Sequence, residues 1–173
     1  MKLNVGCGFD YRDNFVNIDG IDAIPKVDMV IDLNKHSLLE FFEENSSEHI
    51  VANDFIEHHF HWEAVAIMYD FYKLLKPKGM LEMRLPDFGR ITSPFHWYNL
   101  ILSPRKKLTL LFGGQDIPQG EKDVSLRRNF PQFFCHKYAY TPKTIKSELI
   151  SIGFMDVKTK SKGTNFLVFA KKP

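Results

Sequence analysis

Short apolar runs, each ended by a glycine, an aspartate or an asparagine, follow one another along the first part of the chain. They cover residues 2–5, 15–18, 27–31 and 49–52. Runs that are continuous and rich in branched side chains, rather than alternating with polar residues, are typical of buried parallel strands. The pattern therefore predicts four parallel strands, each with a polar or glycine residue at its carboxyl end.

Helical spacing replaces these runs in the middle of the chain. Large apolar side chains between Phe60 and Leu75 recur every three or four positions, which predicts one long helix. Pro77 and Gly79 are expected to end this helix, because both residues are frequent just beyond a helix C-terminus. A further apolar run predicts a fifth strand over residues 80–85.

The end of the chain predicts a helix and a hairpin. Thr141 and Pro142 are typical of an N-cap and a first helical turn, and Gly153 is typical of a C-cap. The runs 154–159 and 165–170 are joined by residues 160–164, a loop that suits an antiparallel pair of strands. Together the elements predict an α/β, Rossmann-like fold with a mostly parallel sheet and a terminal antiparallel hairpin.

Residues 89–142 do not follow this alternation. They contain eight Lys or Arg against three Asp or Glu, and nine of the 24 aromatic residues. A segment of this length inside a compact domain usually has a function or helices of its own. We predict that the 173 residues form a single domain, in which 89–142 are a substrate-cap insertion, helical and aromatic, over the carboxyl edge of the sheet.

Composition and charge narrow the function classes. The net charge of +2 gives no general case for binding nucleic acid or a membrane surface. The chain has two cysteines, no apolar run of membrane-spanning length and no apolar stretch near Met1. These features predict a soluble, cytoplasmic protein without disulfides.

Small or acidic residues follow each of the four predicted parallel strands. They are Gly6, Cys7 and Gly8 after the first strand, Asp19 and Gly20 after the second, Asp32 and Leu33 after the third, and Asn53 and Asp54 after the fourth. In open α/β sheets, ligands bind at the carboxyl ends of the strands. Glycine lets the backbone approach a ligand closely, Asp19 suits ribose hydroxyls, and Asp32 suits an adenine amine. Because such residues follow four successive strands, the sequence predicts a nucleotide-type cofactor whose reacting end lies near Asn53 and Asp54.

A nicotinamide dinucleotide is the alternative cofactor. Its fingerprint needs a glycine at position 11 and an acidic residue about 20 positions further on. Position 11 is Tyr11 and Asp19 comes too early, so the spacing disfavours a dehydrogenase.

The motifs at 3–8, 16–19, 32–34, 56–58, 74–82 and 153–154 resemble class I S-adenosylmethionine-dependent methyltransferases, most closely the small group labelled type 11. The resemblance covers nearly the whole chain. It implies a seven-stranded sheet and S-adenosylmethionine over the glycine loop, with Asp19 at the ribose and Asp32 and Leu33 at the adenine. The product would be S-adenosylhomocysteine.

The sequence departs from that family in the first loop. Asp10 occupies the position of the third glycine, and Asn4 replaces an acidic residue. Residues 9–14 are too few for the helix that normally joins the first two strands, because a parallel crossover usually takes a dozen residues or more.

Methyl transfer is mainly a problem of positioning, and it needs a general base only when the acceptor must lose a proton. Three residues are candidates for that catalytic role. His58 follows the fourth strand, Asp87 follows the fifth, and His136 lies in the predicted cap. Each also suits a structural alternative, namely a helix cap or a turn for Asp87 and a capping or solvent-exposed position for the histidines.

A metal site is a further alternative. Asp54, Glu57, His58 and His61 would share one face of a continuous helix. A similar acidic-x-x-Glu-His run binds metal in some quinone-pathway O-methyltransferases, but many relatives with Glu-His bind none. We therefore expect no metal here.

Three function classes remain. The leading prediction is an enzyme, a methyltransferase acting on the oxygen or nitrogen of a small-molecule acceptor. The alternatives are a protein or nucleic-acid methyltransferase and a non-catalytic cofactor-binding module. Asn53 is followed by Asp54 and Phe55 instead of the Pro-Pro-Tyr of base-flipping enzymes, so nucleic acid is disfavoured as a partner.

Overall fold

The computed structural model describes residues 1–115 and 124–173. Its centre is one sheet of seven strands in the order β3-β2-β1-β4-β5-β7-β6. The strands are β1 Lys2–Val5, β2 Val16–Asp19, β3 Met29–Val30, β4 Ser47–Asn53, β5 Leu75–Pro86, β6 Met155–Lys162 and β7 Asn165–Lys171. Strands β1 to β5 are parallel, and β7 runs antiparallel to both β5 and β6. The predicted α/β fold with a terminal antiparallel hairpin is confirmed.

Helices connect the strands in the second half of the chain. They are α1 His61–Leu74, α2 Phe88–Thr92, α3 Tyr98–Ile101, α4 Pro104–Phe112, α5 Val124–Asn129 and α6 Pro142–Ile152, with 3-10 turns at Leu38–Glu40, Ile56–His58 and Pro131–Phe133. Among the described residues, no helix is long and apolar enough to cross a membrane.

Helix α1 and strand β3 have different boundaries from those that the sequence predicts. Helix α1 ends at Leu74, because Leu75 leaves helical geometry and pairs with Ser47 as the first residue of β5. Strand β3 has two residues, where the sequence predicted five at 27–31. The Asp28 carboxylate accepts the Asn17 backbone N–H at 2.8 Å, so a side chain makes the contact that a longer strand would have made.

One face of the sheet carries the main core. The buried side chains of α1 and α6, such as Phe71 and Leu149, pack there against strand residues such as Leu3, Ile50 and Met83. On the opposite face, alternate residues of the strands are only partly buried: His49, Glu82, Arg84 and Phe169. The expectation of continuous burial is therefore confirmed for β1 and the end of β4 but is wrong for β3, where Met29 is half-buried and Val30 is exposed. In β5, buried and half-buried residues alternate.

Two buried amides shape the short connection between β1 and β2. Asn4 Nδ2 donates to the Asp10 carbonyl at 2.7 Å and to Asn17 Oδ1 at 2.9 Å. The backbone N–H of Arg12 donates to the same Asn17 oxygen at 2.9 Å. These bonds hold residues 6–15 in turns without a helix, as the short spacing predicts.

The described parts of the segment 89–142 contain helices α2 to α5 and the 3-10 turn at Pro131–Phe133, as the prediction of a helical cap expects. Ser103 caps α4, Pro104 begins it, and Gly113 ends it with a left-handed φ of +78°. Near its end the segment contacts the 3-10 turn after β4, where the Lys137 backbone N–H donates to the Glu57 carbonyl at 2.8 Å. Tyr140, which is 1% exposed, already belongs to the core.

Candidate functional site

A cavity of about 460 Å³ opens at the carboxyl ends of the parallel strands. The ends of β1, β2 and β4 form its floor, and residues of the segment 109–136 form its opposite wall. Clefts of this size at this edge of an α/β sheet are the usual ligand sites of such folds. The predicted ligand site and this cavity thus lie at the same edge of the sheet.

The glycine loop and Asp19 form the side of the cavity next to β1 and β2. Gly6 and Gly8 have left-handed φ angles of +63° and +50°. The Asp19 carboxylate accepts the backbone N–H of Gly8 at 2.8 Å and that of Ile21 at 3.1 Å. Burial raises the pKa of Asp19, and these backbone N–H groups oppose the rise. The carboxylate therefore fixes the loop and still borders the cavity.

Cys7 lies in the same loop but has no exposed thiol chemistry. Its side chain is 5% exposed, and its backbone N–H donates to the Ile18 carbonyl at 2.9 Å, which extends the β1–β2 pairing. Burial, with Asp19 nearby, raises the pKa of the thiol to about 12. Cys7 is thus a neutral wall of the cavity at pH 7.

Two predicted residues do not line this cavity. Asp32 accepts the Asn34 backbone N–H at 3.0 Å and pairs with Lys35 at 3.0 Å, while its neighbour Leu33 does border the cavity. Asp87 accepts the Arg90 backbone N–H at 3.1 Å as the N-cap of α2. Both carboxylates therefore serve the local backbone, which is the structural alternative for an acidic residue after a strand.

Asn53, Asp54 and Gly20 do border the cavity. Asp54 forms a two-pronged ion pair with Arg84, whose Nε lies 3.0 Å and 2.9 Å from the two carboxylate oxygens. Asn53 Oδ1 is buried and has no hydrogen-bond partner among the described residues. The ring of Phe133 covers Gly20, since a Cβ built on that glycine would lie 2.5 Å from the ring. Asp54 is thus already paired with Arg84, and the ring of Phe133 fills the space above Gly20.

His58 and His136 meet on the other side of the cavity, with ring centroids 4.9 Å apart. His58 Nδ1 lies 3.1 Å from the Cys135 carbonyl, and His136 Nδ1 lies 3.2 Å from the Leu111 carbonyl. Because a carbonyl only accepts, each Nδ1 carries the proton, and each Nε2 keeps its lone pair. Burial lowers the pKa of both rings, that of His58 to about 3, so both are neutral at pH 7.

His61 is separated from this pair. His59 is extended and ends the 3-10 turn at Ile56–His58, so the continuous helix assumed for residues 54–61 does not form. His61 Nε2 lies 3.0 Å from Glu148 Oε1 of α6, and His61 does not line the cavity. The shared helical face of Asp54, Glu57, His58 and His61 was therefore wrong.

Glu57 and Phe133 are cavity residues that the predicted site set lacked. Glu57 is 2% exposed, and neither of its carboxylate oxygens has a hydrogen-bond partner among the described residues. Burial, with Asp54 nearby, raises the pKa of this carboxyl well above its usual range. In the sequence, the feature that could have identified Glu57 is its position next to the candidate residue His58. Nothing in the sequence distinguishes Phe133 from its neighbouring aromatic residues.

We expect the buried His59 to make unfolding more sensitive to acid. Burial lowers its pKa to about 4, whereas an unfolded histidine titrates near 6.5, so acid protonates the unfolded chain first. Stability is therefore lost as pH falls below about 6.5, by about 2 kcal/mol at pH 5 from this ring. Urea unfolding at pH 7 and pH 5 should show a loss smaller by that amount in His59→Gln than in the unaltered protein. Equal losses in the two proteins would contradict this.

No protein-family model and no curated protein matches the sequence. Solved structures share its fold. They include a possible exported protein from Bordetella parapertussis (TM-score 0.64, 15% identity, 99% of this chain and 61% of that one). They also include SAM-dependent methyltransferases from Archaeoglobus fulgidus (TM-score 0.64, 16% identity, 99% and 85%) and from Mesorhizobium loti (TM-score 0.61, 13% identity, 99% and 90%). The chain thus spans 61% of the Bordetella protein's length, and its fold is that of class I methyltransferases.

Proposed function

We propose that this protein is an S-adenosylmethionine-dependent methyltransferase of the small type that its motifs resemble, and that it acts on a small-molecule acceptor. The observation that carries the proposal is the composition of one cavity. It joins a glycine loop held by Asp19 to a compartment that contains two neutral histidines. A cofactor subsite and an acceptor subsite in one space are what direct transfer between two bound molecules requires.

The cofactor subsite fits an adenosyl group by its own chemistry. A Cβ on Gly8 would meet nothing within 4 Å, so the loop backbone is open to a ligand there. The Asp19 carboxylate suits a pair of ribose hydroxyls, and Ile21, Ile31 and Leu33 give the apolar wall that suits a purine. Bound S-adenosylmethionine would supply an activated methyl group, and S-adenosylhomocysteine would remain after transfer.

The acceptor subsite is the compartment of His58 and His136. These side chains would hold the acceptor in line with the methyl group, and their Nε2 lone pairs would face the atom to be methylated. A hydroxyl or an amine suits such lone pairs, because its proton must leave during transfer. Asp87, as the cap of α2, has no part in this proposal.

Residues 104–115 and 124–136 would act as the cap that orients the acceptor and excludes water. Thr109, Leu110, Arg127 and Phe134 from this segment line the cavity together with His136. The cavity of about 460 Å³ lies in the range of small-molecule sites and contains both subsites, so the space for the acceptor is small, and we propose a small-molecule acceptor for that reason.

The proposal predicts one binding site for S-adenosylhomocysteine per chain. Isothermal titration calorimetry with S-adenosylhomocysteine and S-adenosylmethionine measures this directly, with a nicotinamide dinucleotide as the control ligand that is expected not to bind. Folded protein that binds neither adenosyl compound would refute the proposal. Binding of both without methyl transfer to any of a panel of small hydroxyl and amine acceptors would favour a non-catalytic module.

A further inference from the structure

The Glu57, His58 and His136 side chains converge on one point of the cavity wall. Each offers a ligand atom, and these atoms all lie within 4.8 Å of one another. Glu57 and His58 follow β4, whereas His136 comes from the segment opposite, far away along the chain. Two separate segments therefore bring one carboxylate and two imidazoles together.

Each histidine is already oriented by its second nitrogen. The Nδ1–H groups of His58 and His136 donate to backbone carbonyls at 3.1 Å and 3.2 Å. A backbone carbonyl on the second ring nitrogen is the usual partner of a metal-binding histidine, because it fixes both the tautomer and the ring plane. The two Nε2 atoms thus have the lone pairs that metal ligands need.

The Glu57 carboxyl group is the third potential ligand, and it is buried without a hydrogen-bond partner among the described residues. Glu57 is 2% exposed, and both its oxygens lack hydrogen bonds among the described residues. Buried charges in proteins are normally paired or bound to metals. A cation between Glu57 and the two imidazoles would provide the missing partner.

We propose that Glu57, His58 and His136 bind one divalent transition-metal ion of the Zn²⁺ class. Two imidazoles and one carboxylate suit Zn²⁺, Fe²⁺, Co²⁺ or Mn²⁺ better than Mg²⁺, which prefers oxygen ligands. Three protein ligands leave coordination positions open, as in catalytic metal sites, and these would face the cavity. Metal binding itself does not depend on the proposed function. If that function holds, the metal occupies the two Nε2 lone pairs, so in the metal-bound protein the imidazoles act as ligands and not as proton acceptors, and the open positions favour acceptors whose hydroxyl or carboxylate oxygen binds a metal.

The test begins with protein dialysed against a chelator and titrated with Co²⁺, whose visible absorption reports imidazole and carboxylate ligands. We expect one Co²⁺ per chain, displaced by one equivalent of Zn²⁺ but not by Mg²⁺ at the same concentration. Glu57→Gln and His136→Ala should each weaken Zn²⁺ binding by about a hundredfold or more, because even residues beyond the ligand shell contribute about 10–100-fold. His61→Ala is the matched control and should bind as the unaltered protein does, since His61 is paired with Glu148.

Folding of the variants is checked in the same samples by thermal unfolding. Glutamine has nearly the shape of glutamate and removes a buried ionisable group, so metal-free Glu57→Gln should melt no lower than the unaltered protein at pH 7. Zn²⁺ should raise the melting temperature of the unaltered protein and of His61→Ala, but not that of Glu57→Gln. The absence of stoichiometric Co²⁺ binding would overturn the proposal, as would unchanged Zn²⁺ affinity in both ligand variants. S-adenosylhomocysteine binding is measured separately, so a failed metal site and a failed methyltransferase assignment are distinguishable.

Discussion

Replacing Asp19 by alanine is expected to weaken S-adenosylhomocysteine binding by about 10- to 100-fold. The Asp19 carboxylate borders the cavity and holds the glycine loop through the Gly8 backbone N–H. Hydrogen bonds to a charged group contribute about 1.5–3 kcal/mol, and each 1.4 kcal/mol is about tenfold in affinity. Calorimetric titration of the folded variant measures the loss.

Asp22→Ala is the matched control for Asp19→Ala. Asp22 lies three residues further on, is exposed, and does not line the cavity. Its replacement should leave the affinity unchanged. Asp19→Asn, which keeps an acceptor oxygen of similar size, should fall between the two alanine variants. Equal dissociation constants for Asp19→Ala and Asp22→Ala would show that the ligand does not use the end of β2.

Gly6→Ala is expected to destabilise the protein by about 2–5 kcal/mol, the sum of two physical effects. Gly6 has a φ of +63°, and a left-handed conformation costs a non-glycine residue about 1–2 kcal/mol. The new Cβ would also lie 2.1 Å from Cδ2 of the Phe55 ring, and overpacking of this kind costs about 1–3 kcal/mol. Urea unfolding at pH 7 measures the sum.

Gly8→Ala separates the two effects. Gly8 is also left-handed, with a φ of +50°, but a Cβ there would meet nothing within 4 Å. Its alanine variant should show the backbone effect alone, about 1–2 kcal/mol. The excess in Gly6→Ala should shrink when Phe55 is also replaced by alanine, because the two changes remove one collision. If both glycine variants lose the same stability, the Phe55 ring does not restrict Gly6.

The strand ends were predictable because glycine and acidic residues mark them in the sequence. What each carboxylate does there was not predictable from its position alone. The Asp32 carboxylate accepts the backbone N–H of Asn34, and Asp87 is the N-cap of helix α2, which begins at Phe88. Asp19 combines both behaviours, since it binds backbone N–H groups and still borders the cavity. The local chain after a strand decides which of these occurs, and that geometry forms only on folding.

The far side of the cavity depends on contacts between distant segments. His58 and His136 were each named as candidates, but their meeting depends on how residues 131–136 pack against the 3-10 turn after β4. The sequence does not show that the Glu57 carboxyl group lacks a hydrogen-bond partner, because that lack arises only in the packed interior. The one-sided burial of β5 is similar, since it reflects which face the helices happen to cover.

Phe133, which contacts Gly20, belongs to the same short segment as His136, which contacts His58 at the other end of the cavity. Phe133 covers the cavity wall beside Asp19, and three residues later the same segment presents His136 to His58. A ligand beside Asp19 that displaced the Phe133 ring would act on the same segment that places His136 against His58. By thermodynamic reciprocity, whatever factor that movement has on the affinity of a second ligand beside His58 applies equally to the first. Titrating each ligand in the presence of the other would measure this one coupling factor.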